Sequence, residues 1–387
     1  SLEETAPPAS PSTPVFRIRT PASPPSRSSW RRHPEEEEMR DKNEGRLQQE
    51  FCEVQAIGKG QFSTVYKAKN RVDQCWYAVK KTTQIQKGLR QTQLKEVFAL
   101  ANVSMEAQAC PHIVRYYCSW LEDGRLHIQT ELCQCSLRDR LAQKKKEEPN
   151  DPRFKEPELM EVIRHVASGL QVLHKLGFVH LDVKPDNILV SRGEEGCYKV
   201  ADLGLAAAAM GTGCDEVNEG DCRYLAKEVI RGDLTNLPKA DIFSLGLVLY
   251  ELSISPKSLP CNGPEWQKLR QGLLEVELLA DLSQPACQLM QQMVLPQAEQ
   301  RPPCKELLRH PSVVLADAKQ AALEEENRRC KAEAERSRQL ADEYWHEMMQ
   351  MKRQELLGEA TLLGKDSGFK ATSRLPATPH LRRGETF

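Results

Sequence analysis

The chain has 387 residues, 40% of them apolar and 28% charged, with a formal net charge of -1. That is enough for one large domain or two small ones with tails to spare, and the near-neutral balance argues against a nucleic-acid or membrane partner held by overall charge. No apolar run approaches the roughly 18 residues that span a bilayer, and no basic-then-apolar opening reads as a secretory leader.

The 13 cysteines are scattered without a C-x-x-C pair. They read as small hydrophobes in a reducing compartment rather than as a zinc site or a disulfide framework. Residues 1–50 form a Pro-, Ser- and Thr-rich region with too few apolar side chains to offset the entropy of ordering, and are expected to be disordered. Ser10, Thr13, Thr20 and Ser23 each precede proline, as targets of proline-directed kinases do. "RSSWRRH" before "EEEE" reads as a mixed-charge linker more than as a nuclear signal.

From Phe51 the pattern changes. "FCEVQAIGKGQFSTVYKAKN" alternates apolar and polar residues around glycines and reads as a hairpin, and "QCWYAVKK" as a further strand. "TQLKEVFALANVSMEA" has helical spacing. "IVRYYCSWLEDGRLHIQTELC" reads as two strands joined at "EDG". Residues 51–132 are therefore a small β-rich lobe with one helix. Residues 133–315 turn helical: "ELMEVIRHVASGLQVLHKLG" is an amphipathic helix ended by Gly177, and the nearly all-apolar "ADIFSLGLVLYELSI" is a buried one. "PACQLMQQMVL" and "CKELLRHPSVV" complete that lobe, and "QKKKEEPNDPRFKE" reads as a surface loop. Residues 316–357 are a polar helical tail with too few apolar positions for a coiled-coil seam, although Tyr344, Trp345, Met348 and Met349 could dock. Residues 358–387 read as disordered.

The candidate chemistry begins at "IGKGQFSTV". Gly58 and Gly60 let a β-turn backbone approach phosphates; Ser63 stands where a third glycine is usual, and Val65 would pack on an adenine ring. A glycine pair alone is weak, since ordinary hairpins use glycine too. Fifteen residues after Val65, Lys80 in "YAVK" falls where a cation would hold the α and β phosphates, and Glu96 on the following helix could fix it by an ion pair. In "VHLDVKPDN", Asp182 could accept the proton of an attacking hydroxyl, Lys184 neutralise the transferring group, and Asn187 hold a metal. Asp202 in "VADLG" is a second metal ligand. Phosphoryl transfer asks a protein for positioning and charge neutralisation, largely through Mg²⁺, more than for covalent chemistry. Each feature has a bland alternative, but their joint occurrence in this order does not.

Together these residues resemble the protein-kinase pattern over residues 51–315, which implies an α+β, bilobal fold with a β-rich N-lobe, a larger helical C-lobe, and ATP and Mg²⁺ as cofactors. The resemblance implies an ATP site of Ile57, Gly58, Lys59, Gly60, Val65, Ala78, Lys80, Thr130, Glu131 and Cys133. It gives Asp182, Lys184, Lys80 and Glu96 catalytic roles, and Asn187 and Asp202 the metal. "LAKE" sits where kinases carry A-P-E, Asp241 where a buried aspartate braces the catalytic loop, and Arg301 where an arginine pairs with the A-P-E glutamate, here Glu228. "HLDVKPDNI", "EGDCRYLA", "LPKADIFSLGL" and "EWQKLRQG" resemble the Wee family of cell-cycle inhibitor kinases. "DLG", the lack of a membrane span and the tail helix favour the Wee branch over the Myt branch. The resemblance implies phosphorylation of a tyrosine in the Gly-rich loop of a cyclin-dependent kinase bound to its cyclin, by a monomeric enzyme of the nucleus or alternatively the cytoplasm; the alternatives are a Myt-like dual-specificity or Ser/Thr kinase and, against the full catalytic set, a pseudokinase scaffold. Lys184 in D-x-K-P-x-N is the Ser/Thr-kinase form of the loop, so the tyrosine expectation comes from resemblance alone. Thr130 departs from the asparagine of vertebrate Wee members.

Leu181 replaces the arginine that usually binds a phosphate on the activation segment. Between Gly204 and Asp221 the only hydroxyl side chain is Thr212. The segment is expected to order without phosphorylation, with control left to the tails, where Thr378 adds a fifth Ser/Thr-Pro site.

Overall fold

The computed structural model of the protein describes residues 45–60, 63–83, 89–106, 110–192, 197–205, 207–208 and 221–363. Thr212, the activation-segment reading built on it and the five Ser/Thr-Pro sites lie outside them. The chain divides into two units, Ser1–Glu50 and Phe51–Phe387. In the first, α1 (Arg46–Glu50) is a single helical turn, where disorder was expected, closed by an i,i+4 ion pair of 2.8 Å between Arg46 and Glu50.

The second unit opens with β1 (Phe51–Lys59), β2 (Ser63–Asn70) and β3 (Trp76–Thr82), then α2 (Leu89–Glu106), β4 (Tyr116–Glu122) and β5 (Arg125–Glu131). The five strands form one antiparallel sheet in the order β1-β2-β3-β5-β4. This is the β-rich N-lobe, and both hairpins fall where the alternating patterns put them. In β1 only Phe51 is buried, and two register shifts interrupt its pairing with β2. Such bulges twist a strand and re-aim its side chains. Ile57 is consequently 51% exposed at the wall of a cleft.

The C-lobe follows: β6 (Cys135–Ser136), α3 (Leu137–Glu147), α4 (Glu156–Lys175), β7 (Phe178–Val179), β8 (Ile188–Val190), β9 (Tyr198–Val200) and β10 (Ala207–Ala208). After these come α5 (Lys227–Ile230), α6 (Leu237–Ser253), α7 (Gly263–Arg270), α8 (Gln284–Met293), α9 (Cys304–Leu307) and α10 (Pro311–Leu363). From α4, Leu159, Ile163, Val166, Leu170 and Leu173 are fully buried, on the spacing of one helical face. Every residue of α6 from Ala240 to Ser253 is buried, so this helix is the axis of the core. Burial of each such aliphatic side chain contributes roughly 1.5–3 kcal/mol before entropy is charged against it.

Two sequence expectations change. The stretch read as a surface loop after residue 142 begins as helix, because α3 runs to Glu147. A capping box starts it: Asp139 N–H donates to Ser136 Oγ (3.1 Å) and Ser136 N–H to Asp139 Oδ2 (3.0 Å). Lys144, in the charge run that suggested a loop, is buried and donates to Glu158 at 3.1 Å. Nor does a separate tail helix begin at 316 or end at 357. α10 starts inside the C-lobe, where Val313 is buried, and continues to Leu363. Leu340, Tyr344, Trp345, Met348, Met349 and Met351 on it are all exposed. No helix among the described residues is long and apolar enough to cross a membrane.

Candidate active site

Lys80 lies on β3, paired with Val65 of β2 and Ile128 of β5, so its backbone is held on both sides. Its Nζ donates to Glu96 Oε1 at 2.8 Å and to Asp202 Oδ1 at 2.7 Å. Burial alone would lower the ammonium's pKa; Asp202 and Glu96 outweigh it and hold the group above its ordinary range. Burial pushes the Glu96 carboxyl up. It would do the same to Asp202, but Lys80 holds that carboxyl below the usual carboxylate range. Asp202 has a left-handed φ of 63°, a conformation uncommon for a residue with a Cβ. Gly204 lies close beside it: a Cβ there would stand 3.0 Å from Asp202 Oδ1 and 3.5 Å from Glu96 Oε2.

The catalytic-loop candidates sit on a buried polar frame. Asp241, fully buried in α6, accepts from His180 N–H (2.9 Å) and Leu181 N–H (2.8 Å) and lies 2.8 Å from His174 Nε2. Those two backbone bonds hold Leu181 at φ 64°; its side chain is buried in the core. His180 lies 2.9 Å from the Ala201 carbonyl through Nε2 and accepts from Asp182 N–H at 3.2 Å through Nδ1, a pair that fits the Nε2–H tautomer. This ties the two loops that carry Asp182 and Asp202 to one ring. Asp182 Oδ2 then accepts from Lys184 Nζ and from Asn187 Nδ2, both at 2.7 Å.

Between the lobes is a cleft of about 520 Å³. Its lining includes Ile57, Gly58, Val65, Ala78, Lys80, Glu96, Thr130, Glu131, Cys133, Asn187 and Asp202. Four expected residues are not on that wall. Lys59 and Gly60 come directly after Gly58, and Asp182 bonds Asn187 of the wall and Lys184, each at 2.7 Å. Gly58 and Gly60 have no positive φ, and a Cβ on either would meet nothing closer than 3.6 Å. The fold itself therefore does not demand glycine at these positions.

The residues suit a nucleotide and a divalent cation. Cys133 makes no backbone hydrogen bond among the described residues, so its N–H and carbonyl are open to a base. Asn187 spends Nδ2 on the carbonyl and the carboxylate of Asp182, leaving Oδ1 as the atom available to a metal. With Asp202 this is a hard oxygen set of the kind Mg²⁺ takes.

Sequence reading missed Lys67, which lines the cleft and stands 4.2 Å from the Trp76 ring centroid. The signal was period two along β2 from Val65. It also missed Arg138, for which there was no signal. Arg138 donates to Glu251 (2.8 Å), the Tyr224 hydroxyl (2.5 Å) and Asp186 (3.3 Å), joining the start of α3 to α6 and to "EGDCRYLA". Two motifs quoted separately from the sequence prove to be one junction. Trp266 Nε1 and Arg270 Nη2 of "EWQKLRQG" donate to the Cys222 carbonyl of "EGDCRYLA" at 2.9 and 2.6 Å, and Arg270 Nε donates to Leu225 O at 3.2 Å. Arg301 makes a bidentate pair with Glu228, its second bond 3.0 Å long.

Comparison with known proteins agrees with this geometry. The family model for the protein kinase domain matches residues 51–313. The chain is 34% identical over 358 residues to Wee1-like protein kinase 2 of Ailuropoda melanoleuca, covering 85% of this chain and 60% of that protein. It is 36% identical over 293 residues to Wee1-like protein kinase 1-A of Xenopus laevis, covering 70% and 49%. Against Wee1-like protein kinase 2 of Danio rerio it is 39% identical over 288 residues, covering 68% and 52%. The chain thus spans about half to three-fifths of the length of these curated relatives. It belongs to the protein kinase family and, within it, to the Wee kinases.

Proposed function

We propose that this chain transfers the γ-phosphoryl of ATP to a tyrosine in the Gly-rich loop of a cyclin-dependent kinase within its cyclin complex, and so delays mitotic entry. The observation that carries the enzymatic half is Lys80, shared between Glu96 and Asp202 across the cleft at 2.8 and 2.7 Å. A scaffold that had abandoned catalysis has no need of all three. The tyrosine and the cyclin-dependent kinase come from the Wee resemblance, and the names of the relatives agree with it.

In this reading Lys80 neutralises the α and β phosphates and Glu96 fixes its position. Gly58 and Gly60 are glycine because phosphates pass close to their backbone, and Ile57, Val65 and Ala78 cover the base. Asn187 and Asp202 would hold Mg²⁺, which supplies charge neutralisation at the phosphates. Asp182 orients the tyrosine hydroxyl and accepts its proton. Lys184, 2.7 Å from Asp182, orients that carboxylate and offsets charge on the moving group. The enzyme works in the nucleus, where such a substrate is held inactive.

The test is an ATP/Mg²⁺ assay on a cyclin-dependent kinase complex with the phosphosite mapped. Tyrosine alone supports the proposal. Tyrosine with the adjacent threonine would move the chain to Myt-like dual specificity, and no phosphorylation would end the reading.

A further inference from the structure

Outside the cleft, one pair of reactive side chains stands together. Cys222 and Cys261 are both exposed, and the Cys222 thiol donates to the Cys261 carbonyl at 3.5 Å. That contact sets the sulfur of one cysteine against the backbone of the other, on two segments 39 positions apart in sequence. Both cysteines are fastened to α7. The Cys222 carbonyl is held by Trp266 and Arg270, and Cys261 comes two residues before the helix begins at Gly263. Arg270 donates to the Cys222 carbonyl at 2.6 Å, and Arg223 next to it is paired with Asp221 at 2.5 Å. The other exposed cysteines are Cys75 on the turn before β3 and Cys330 on α10.

We propose that Cys222 and Cys261 are a peroxide-sensitive dithiol that closes to a reversible disulfide. The Cys222 thiolate attacks one oxygen of hydrogen peroxide; the O–O bond breaks, and the departing hydroxide is protonated to water, leaving a sulfenic acid. The Cys261 sulfur then attacks Cys222, the S–O bond breaks and a second water leaves. Two thiols give up two electrons and two protons, and one peroxide becomes two waters. Exposed disulfides of this kind in a reducing compartment are transient and sensory rather than structural.

The bond would clip the segment 221–226 to the loop before α7. That segment carries Tyr224, whose hydroxyl bonds Glu251 at 2.5 Å and receives Arg138. A clip on its exposed side restrains adjustment to a protein substrate while leaving the nucleotide cleft untouched. This consequence rests on the function proposed above. Oxidation should therefore raise KM for the protein substrate several-fold with little change in KM for ATP.

The experiment is a non-reducing peptide map of the full chain after hydrogen peroxide, with free thiols blocked before digestion. We expect one linked peptide joining Cys222 to Cys261, removed by dithiothreitol. In Cys261→Ser it should vanish, and dimedone should mark Cys222 instead. A link from Cys222 to Cys214 or Cys330, or two free thiols at peroxide levels that already oxidise Cys75, would overturn the assignment. In the kinase assay, Cys261→Ser should keep its untreated KM and resist peroxide; inhibition equal to the unmutated chain would sink the regulatory half. The map does not depend on activity. A chain that forms the bond but phosphorylates no cyclin-dependent kinase defeats the functional reading and leaves the dithiol standing.

Discussion

The cleft and the junction between "EGDCRYLA" and α7 are both organised around a cation, half-buried in the first and buried in the second, and they hold it by different means. In the cleft, Lys80 stands between two carboxylates, and the Asp202 side chain is 42% exposed. At the junction, Arg270 is buried and has no carboxylate partner among the described residues. It donates to the carbonyls of Cys222, Leu225 and Trp266 and stacks 4.1 Å from the Trp266 ring centroid. Burial brings its guanidinium down to about 10, still charged at neutral pH. A carboxylate at the edge of solvent can exchange one cation for another, as a metal site must. Backbone carbonyls fixed by the chain path cannot leave. The first arrangement suits a site that rearranges during turnover, and the second suits a surface that must keep its shape.

That contrast can be broken at four places. The largest effect is expected at Asp182→Asn, which should lower phosphorylation by about 10²–10⁴-fold while the melting temperature stays near that of the unmutated chain. Full activity in this variant would remove Asp182 from the chemistry. Next is Glu228→Ala, which leaves Arg301, fully buried, without its carboxylate; a loss of about 3–5 kcal/mol in urea unfolding is expected. Arg270→Met should cost less, about 1–3 kcal/mol, because it strands carbonyl acceptors rather than a charge. If it proved as damaging as Glu228→Ala, the distinction between ionic and carbonyl holding would fail.

The smallest effect concerns His127, fully buried against Trp120 with neither ring nitrogen hydrogen-bonded among the described residues. Burial lowers its pKa below the ordinary 6.5. The unfolded chain therefore takes up a proton first as pH falls through 6.5, and stability contributed by the neutral ring is lost from there down to the folded pKa. Thermal melts from pH 7.5 to 5.5 should fall by a few degrees, and His127→Phe should flatten that slope. An unchanged slope would assign the pH dependence to other groups, His310 among them, whose pKa burial also lowers.

Some of this was legible because it depends on local order. The two hairpins, α4 and α6 follow from alternation and helical spacing, and Lys80, Glu96, Asp182, Asn187 and Asp202 follow from residue types at fixed intervals. The failures share a cause as well. Charged Lys144 suggested solvent, yet Glu158 from another helix buries it. Lys59 and Gly60 were expected on the cleft wall, whose lining from β1 ends at Gly58. The extent of α10 was missed because a polar helix carries no marker where it leaves the lobe.

The sequence by itself determined the fold class, the family and the identities of the candidate catalytic residues, because each rests on residue type and spacing along one chain. Only the tertiary structure decided that Asp241 holds Leu181 in its left-handed turn, that Arg138 links α3 to Tyr224, and that Cys222 meets Cys261. Those contacts join residues 60, 86 and 39 positions apart, and no local propensity encodes a meeting that depends on how the helices between them pack.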